Sequence, residues 1–159
     1  MLTTKWRPPT HIKTKALGLH WREGKLLAAE VYDDQGKLQG VRPIGGSIEF
    51  GERWQSALIR EFKEELDVDV EIKGSPIVME NIYTHEGEVG HEVLFICEVL
   101  FGSAMFTGLN TIEFHEDNGT PCIARWFDLT ALDLPDGPAL FPAGLKAALK
   151  GELHGAAND

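Results

Sequence analysis

The alternation of apolar and polar positions along the chain predicts strands first, then one helix, then more strands and a closing helix. Two early strands are predicted at 11–21 and 26–32, because each apolar run ends in a polar turn sequence. Later strand-like runs cover 68–72, 77–84, 91–101, 112–115 and 122–129. This order is typical of the α/β (α+β) class, with a mixed β-sheet and helices packed on its faces.

The helical period is strongest between Trp54 and Leu66. At about 100° per residue, one arc collects the apolar side chains that are predicted to be buried: Leu58, Ile59, Phe62 and Leu66. The neighbouring arc collects carboxylates through their i, i+3 and i+4 spacing: Glu61, Glu64 and Glu65. One face of this helix is therefore expected to pack on a sheet while the next face presents the carboxylates together.

The two ends of the chain differ from the segment between them. Residues 1–9 are interpreted as an N-terminal arm, residues 10–151 as the single domain, and residues 152–159 as a C-terminal tail. Pro142 is placed near the start of the closing helix, and Gly151 is expected to end that helix.

Composition excludes several classes of protein. A length of 159 residues suits one domain with one sizeable core. No apolar run approaches the roughly 20 residues that span a bilayer, and the N-terminus lacks the apolar segment of a secretory signal. The two cysteines, Cys97 and Cys122, lie in strand-like runs, which indicates free thiols in a reducing compartment. We therefore predict a cytoplasmic protein with no membrane partner.

The formal net charge of −10 bears on the choice of partner. Stable nucleic-acid binding is not expected, because it needs clustered lysine and arginine side chains. A small phosphorylated substrate is compatible with this charge, since carboxylates that bind a divalent cation reverse the local sign. The alternative is a solvated acidic surface that favours solubility, and most of the charge is assigned to that surface.

The carboxylates of the predicted helix have two interpretations. Like charges at this spacing destabilise a helix by roughly a few tenths of a kcal/mol per pair, and a bound divalent metal would remove the repulsion. Helical spacing alone favours a solvated acidic stripe, because acidic helix faces are common. The preceding loop changes this balance, since Gly45, Gly46 and Gly51 allow tight turns and expose backbone carbonyls near the carboxylates.

The segment from 46 to 68 resembles the Nudix box, G-x5-E-x7-R-E-U-x-E-E-x-G-U, where U is an apolar residue. The matching positions are Gly46, Glu52, Arg60, Glu61, Phe62, Glu64, Glu65 and Val68. The departure is Asp67, which stands where the family has the glycine that ends the helix. Aspartate adopts the left-handed C-cap conformation less readily than glycine. Ile44 also separates Pro43 from the glycine pair, where many members have Pro-Gly-Gly.

The resemblance implies the Nudix fold, a mixed β-sheet sandwiched between α-helices, and a MutT-like pyrophosphatase. The implied reaction is hydrolysis of the diphosphate linkage in a nucleoside diphosphate joined to another moiety, with Mg²⁺ or Mn²⁺ as cofactor. The substrate is therefore expected to be a small nucleotide or nucleotide derivative. Its identity depends on loops outside the box, so the subfamily is not assigned.

Residue by residue, the resemblance implies a catalytic set: Arg60, Glu61, Glu64 and Glu65. The glutamates of this set are the expected metal ligands, and the carbonyl of Gly45 or Gly46 is expected to add another. Arg60 is expected to orient a glutamate by a charge-assisted hydrogen bond, and Glu52 to support the loop and the helix. Glu61 is also a candidate general base.

Residues outside the box are assigned to the substrate side. Family members often use an acidic residue from a later loop, and Glu116 or Asp117 is the candidate here; the alternative is a turn residue favoured for its own hydrogen bonds. Glu113 is a weaker candidate. Arg42 either binds a substrate phosphate together with the glycine pair or is a surface charge.

Polar residues at 80–81 and 91–92 interrupt apolar strand runs and are further candidates for the pocket lining. His91 alone is interpreted as structural, because no nucleophile pairs with it in the sequence. An alternative function is a catalytically inactive Nudix-like module that senses or binds a nucleotide. Such modules usually lose box carboxylates, whereas this chain keeps them. The apolar strands neither require nor exclude a homodimer.

Overall fold

The computed structural model describes residues 5–102, 104–116 and 118–157, of which 152–157 are described by their backbone. The strands are Lys13–Leu19 (β1), Trp21–Arg22 (β2), Lys25–Tyr32 (β3), Leu38–Arg42 (β4), Ile44–Ser47 (β5), Glu71–His85 (β6), Glu88–Leu100 (β7), Thr111–His115 (β8), Pro121–Phe127 (β9) and Ala139–Leu140 (β10). The helices are Trp54–Leu66 (α1) and Leu145–Ala157 (α2), with a 3-10 turn at Leu129–Ala131.

The strands form two mixed sheets. The first sheet has the order β5-β1-β7-β6, in which β1 and β7 are parallel and the outer pairs are antiparallel. The second sheet has the order β10-β4-β3-β9-β8, with β2 also paired to β3; β10 and β4 are parallel and the other pairs antiparallel. Mixed sheets with two helices confirm the predicted α/β (α+β) class. The chain passes from one sheet to the other between β4 and β5, directly before the glycine pair.

Helix α1 packs against β1 and β5 with its apolar face. The buried residues of the predicted arc are Leu58, Phe62 and Leu66. Ile59 is 42% exposed, so its predicted burial is wrong, and Ala57 is buried in its place. The buried face is rotated toward Glu61, because β5 presents glycines to that side of the helix and leaves room for the helix to approach.

Two apolar cores hold the layers together. The first lies between α1 and the strands, with Phe62 among its members. The second includes Leu17, Leu94 and Leu145, so helix α2 contributes to it. Alternation along β1 assigns Ala16 to the first core and Leu17 to the second. The first sheet is therefore buried on both faces where the site is built.

Two predicted boundaries are wrong. The runs 68–72 and 77–84 belong largely to one strand, β6, whose pairing with β7 shifts between Lys73 and Ile77. Helix α2 continues through Gly151 as far as Ala157, since a glycine inside a helix costs only about 1 kcal/mol. The division into arm, domain and tail stays a prediction. Over the residues that the structure describes, neither helix has the length and apolar character to cross a membrane.

Candidate active site

Strand β5 approaches β1 so closely that a side chain at Gly45 has no room. Gly45 pairs with Leu17, and Gly46 pairs with Ala16. A Cβ atom on Gly45 would lie 2.8 Å from the Leu17 Cα and closer still to the Ala16 carbonyl oxygen. The glycine pair is therefore a packing requirement of the β1–β5 ladder, and it brings the loop against helix α1.

Glu61 is the buried member of the predicted ligand set, with 2% of its surface exposed. Its carboxylate lies against Gly46, where an added Cβ would stand 2.5 Å from Oε1 and 2.6 Å from Oε2. Any larger residue at position 46 would displace this carboxylate. The first glycine of the box and the first glutamate of its helical part are therefore fitted to each other.

Arg60 joins the loop to helix α1 through its guanidinium group. Nε and Nη2 donate to the two carboxylate oxygens of Glu52, each at 2.9 Å. Nη1 donates to Glu61 at 3.0 Å and to Glu64 at 3.3 Å. Nη2 also donates to the Ser47 carbonyl oxygen at 3.0 Å. The planar fork of arginine suits this arrangement, which fixes Glu61 in relation to the loop.

The ion pair between Arg60 and Glu52 favours the charged form of both side chains. The Arg60 side chain and the backbone N–H of Glu49 lower the pKa of Glu52 from 4.5 to about 2. The hydrogen bond to Glu52 in turn raises the pKa of Arg60 above its usual value of 12.5. Both side chains are therefore charged at neutral pH, and Glu52 is positioned to support the loop rather than to exchange protons.

A small cleft beside the glycine pair brings several predicted residues together. Its lining consists of Ala29, Arg42, Pro43, Ile44, Gly45, Glu65, Phe114 and Glu116. Arg42, at the end of β4, and Glu65, on α1, thus face the same space as Glu116. Glu64 points more toward solvent, with a side chain that is 45% exposed. The cleft therefore has a cation on one wall and carboxylates on others.

Glu116 reaches the cleft from the turn between β8 and β9. Its N–H donates to the Thr120 carbonyl at 2.9 Å, and the Gly119 N–H donates to the Glu116 carbonyl at 2.8 Å. Asp117, the other candidate in this turn, lies outside the described residues. Glu113 is exposed on β8 and does not belong to the cleft lining. Of the candidates that the structure describes in this region, Glu116 is the one at the cleft.

Cys122 also lies close to this cleft, which sequence reasoning missed. It faces Phe114 across the β8–β9 ladder. Burial, followed by the Glu116 carboxylate, raises the pKa of the Cys122 thiol to about 12. The thiol is therefore protonated at neutral pH and is a poor nucleophile. Its sequence context showed a strand residue, and only strand pairing brings it to Glu116.

Helix α1 ends at Asp67, which takes the left-handed conformation at φ 54° and ψ 40°. Its backbone N–H donates to the Lys63 carbonyl at 3.1 Å, the bond that a C-terminal glycine makes in this position. The Lys63 ammonium also lies 3.1 Å from the Asp67 carboxylate. The substitution therefore keeps the helix exit that the family glycine provides, in a conformation less favourable for aspartate.

Within the described ranges, a compact set of metal-ligand atoms occurs away from helix α1. The ligand atoms of Asp34, His85 and Glu86 all lie within 4.8 Å of one another. Arg7 donates to Asp34 Oδ1 at 3.1 Å and to Oδ2 at 2.5 Å, and the Trp6 ring contacts the His85 ring at 5.3 Å between centroids. Arg7 joins Asp34 to the segment before β1, so we assign this group to holding the N-terminal segment in place.

The group on helix α1 fits a hard divalent cation. It offers the carboxylate oxygens of Glu61, which lies against Gly46, and of Glu65, which lines the cleft with Gly45. Glu64 lies on the same helix and is 45% exposed. Carboxylate and carbonyl oxygens are the donors that Mg²⁺ prefers. The residues present therefore match a magnesium site in their chemistry.

Comparison with known proteins gives the family. The sequence matches the model of the NUDIX domain over residues 11–146. Its structure is similar to that of the E. coli ORF135 protein, with 18% identity, a TM-score of 0.57 and coverage of 88% of this chain and 89% of that chain. It is similar to a MutT NUDIX hydrolase from Burkholderia pseudomallei, with 20% identity, a TM-score of 0.57 and coverage of 87% and 97%.

A UDP-X diphosphatase shares the fold as well, with 15% identity, a TM-score of 0.55 and coverage of 98% of this chain and 66% of that chain. A search of curated proteins finds no match. The structural neighbours show the fold, and the family model spans the box, both sheets and the start of α2. The chain therefore belongs to the Nudix family.

Proposed function

We propose that the protein hydrolyses the diphosphate linkage of a nucleoside diphosphate joined to another moiety, with Mg²⁺ or Mn²⁺ as cofactor. The observation that carries this proposal is the carboxylate of Glu61, buried against Gly46 and held by Arg60 at 3.0 Å. A solvated acidic stripe needs no such fixation. A carboxylate held immobile in this way is suited to binding a cation in a set geometry.

Each residue has a proposed role in this reaction. Glu61, Glu64, Glu65 and the Gly45 carbonyl would hold the metal, which would neutralise phosphate oxygens and favour a deprotonated water. Arg42 binds a phosphate from the opposite wall of the cleft. The water oxygen bonds to one phosphorus, the bridging P–O bond breaks, and the second phosphate leaves with the bond electrons. The proton of the water passes to a carboxylate.

Two carboxylates are candidates for accepting that proton, Glu61 and Glu116. Glu61 is clamped by Arg60, while Glu116 lines the cleft from a turn. The pH dependence of kcat in Glu116→Gln separates them. A base at Glu116 predicts that the acidic limb of the profile disappears in this variant together with most of the rate. An unchanged profile leaves the role to Glu61.

The substrate is identified by incubating the pure protein and Mg²⁺ with nucleoside triphosphates, dinucleoside polyphosphates, nucleotide sugars and ADP-ribose. UDP-linked compounds belong in this panel because one structural neighbour is a UDP-X diphosphatase. Cleavage of at least one compound, abolished by a chelator and restored by Mg²⁺ or Mn²⁺, is the expected result. Tight nucleotide binding with no cleavage under any divalent metal would instead support a nucleotide-sensing module and overturn the proposal.

Three further features of the protein stay proposals of the same kind. A cytoplasmic location follows from free thiols at Cys97 and Cys122, which fractionation of cells checks. A homodimer is tested by light scattering of the pure protein across a concentration series. Stable binding to nucleic acid is not expected from a net charge of −10, and a retardation assay at low salt checks this.

A further inference from the structure

The second core turns polar at one end. On β1, β7 and β6 its face is apolar until it reaches Lys15, Glu92 and Asn81. Lys15 Nζ lies 3.0 Å from Glu92 Oε2, and Asn81 Nδ2 donates to Glu92 Oε1 at 3.0 Å. Glu92 is 6% exposed and the Lys15 side chain 13%. These residues form one connected and largely buried group, named the strand cluster here.

Stability alone does not account for charges in this place. Desolvation offsets most of the attraction within a buried ion pair, and apolar side chains of similar size would stabilise the fold as well. Burial lowers the pKa of Lys15 and the charge of Arg42 lowers it further, while Glu92 acts in the opposite direction. A buried ion pair kept at this cost points to a ligand.

Arg42 connects the strand cluster to the active-site cleft. It lines the cleft together with Gly45 and Glu65, and it is close enough to Lys15 to affect its pKa. Lys15 itself pairs with Ser47 in the β1–β5 ladder, two positions beyond Gly45. When the phosphates of a substrate bind at the glycine pair, the group attached to those phosphates can therefore extend to the strand cluster.

The strand cluster has hydrogen-bonding capacity of both kinds. An ammonium group donates three hydrogen bonds, so Lys15 keeps two for a ligand beside its contact with Glu92. Asn81 keeps its carbonyl oxygen as an acceptor, since its amide nitrogen is the atom that binds Glu92. A phosphate offers acceptors alone, whereas the edge of a nucleobase offers donors and acceptors side by side.

We propose that the strand cluster is the subsite that binds the nucleobase of the substrate. Lys15 donates to a carbonyl oxygen or ring nitrogen of the base, and Glu92 and Asn81 accept from its N–H groups. The inference rests on the proposed function only in taking a nucleotide as ligand, and it does not require cleavage. A failure of hydrolysis and a failure of base recognition are therefore distinguishable.

Calorimetric titration tests the subsite without turnover. The ligands are guanosine, adenosine and uridine 5′-monophosphates, with ribose 5-phosphate as the ligand that lacks a base. In the unmodified protein, at least one nucleotide is expected to bind about tenfold or more tightly than ribose 5-phosphate, because buried polar groups left unpaired reject a ligand. Lys15→Met and Glu92→Gln are each expected to remove that difference and to leave the affinity for ribose 5-phosphate unchanged.

The matched control lies on the opposite face of the same two strands. His91 Nε2 and Glu80 Oε2 are 3.1 Å apart there, in an exposed pair. Glu80→Gln is expected to bind every ligand as the unmodified protein does. Because loss of one member of a buried pair can unfold a protein, Asn81→Ala is the second variant. It keeps the ion pair and is expected to weaken the preferred nucleotide by about threefold to tenfold.

Two outcomes overturn the inference. Equal affinity of the unmodified protein for nucleotides and ribose 5-phosphate means that no base is recognised. Equal weakening of nucleotides and ribose 5-phosphate in Lys15→Met and Asn81→Ala means that the strand cluster binds phosphate or only supports the fold. If the protein recognises a base but cleaves no compound of the substrate panel, the base subsite is supported. That result would overturn the hydrolase proposal instead.

Discussion

Two arginines gather carboxylates in this protein, and the two groups differ in what surrounds them. Arg60 stands inside helix α1 and donates to Glu52, Glu61 and a loop carbonyl. Arg7 precedes the first strand and binds Asp34 in the turn between β3 and β4. The Arg7 group, with its neighbouring histidine, has the more compact set of metal-ligand atoms. Yet the Arg60 group is the one that carries the family motif.

This difference shows that compactness is a poor guide to a metal site. Carboxylates group around an arginine as readily as around a metal, so their closeness alone does not indicate a metal site. The Arg60 group is set apart by Glu61, which is 2% exposed and fills the space that Gly46 leaves open. A buried carboxylate for which the backbone leaves space indicates a functional role rather than a solvated surface charge.

The largest difference between the two groups is expected when carboxylates are neutralised in each of them. Glu64→Gln combined with Glu65→Gln is expected to lower kcat by about a thousandfold or more, because two metal ligands are lost. Asp34→Asn combined with Glu86→Gln is the matched control and is expected to retain activity. Turnover is measured on the substrate found in the panel. Undiminished turnover in the first double variant would contradict the assignment of the metal site.

The arginines themselves give the next largest effect. Arg60→Ala leaves Glu61 buried without its cation, so the free energy of unfolding is expected to fall by about 2–4 kcal/mol. The rate is expected to fall by about 10–100-fold through misplacement of the ligands. Arg7→Ala removes a bidentate pair on an irregular, solvent-screened segment and is expected to destabilise the protein much less. Urea unfolding compares the two variants, and similar losses in both would contradict the distinction drawn here.

The two arginine groups are also expected to differ in how they contribute to stability at acidic pH. The pKa of Glu52 lies at about 2 in the folded protein against 4.5 as its ordinary value, so its charge stabilises the fold above pH 4.5. That contribution decreases as the pH falls from about 4.5 to about 2, because the unfolded chain then binds the proton more readily. Glu52→Gln is expected to unfold along a flatter curve in this window. Asp34→Asn is expected to change the curve less, since the hydrogen bond from Arg7, the largest cause of the lowered Asp34 pKa, ties Asp34 to an irregular N-terminal segment.

The helix and its chemistry were predictable from the sequence because they are local. The 3.6-residue period predicted the bounds of α1 and placed Glu61, Glu64 and Glu65 on one arc of it. Ile59 was misjudged because the period gives an arc but not its centre, which depends on the glycines of β5. Residue propensity did not predict how helix α1 ends at Asp67. The structure shows that the Asp67 N–H caps the helix by donating to the Lys63 carbonyl.

The rest was not predictable because it depends on which strands become neighbours. Lys15, Asn81 and Glu92 come from three strands, and only the order β1-β7-β6 makes them a group. Sequence reasoning marked the polar positions on β6 and β7 but gave no reason to join them to Lys15. Glu116 and Cys122 likewise meet Glu65 only after the second sheet has formed beside helix α1.

A third ion pair, at the end of helix α1, is the weakest and gives the smallest effect. Lys63 and Asp67 are 3.1 Å apart with side chains 52% and 88% exposed, so their attraction is worth about 0.5 kcal/mol or less. Asp67→Gly loses that attraction but removes the strain of a left-handed aspartate, which is worth about 1 kcal/mol. The variant is therefore expected to be more stable than the unmodified protein by about 0.5 kcal/mol in urea unfolding. Asp67→Asn, which tolerates the same conformation, should fall between the two, and destabilisation by Asp67→Gly would show that the exposed pair outweighs the backbone.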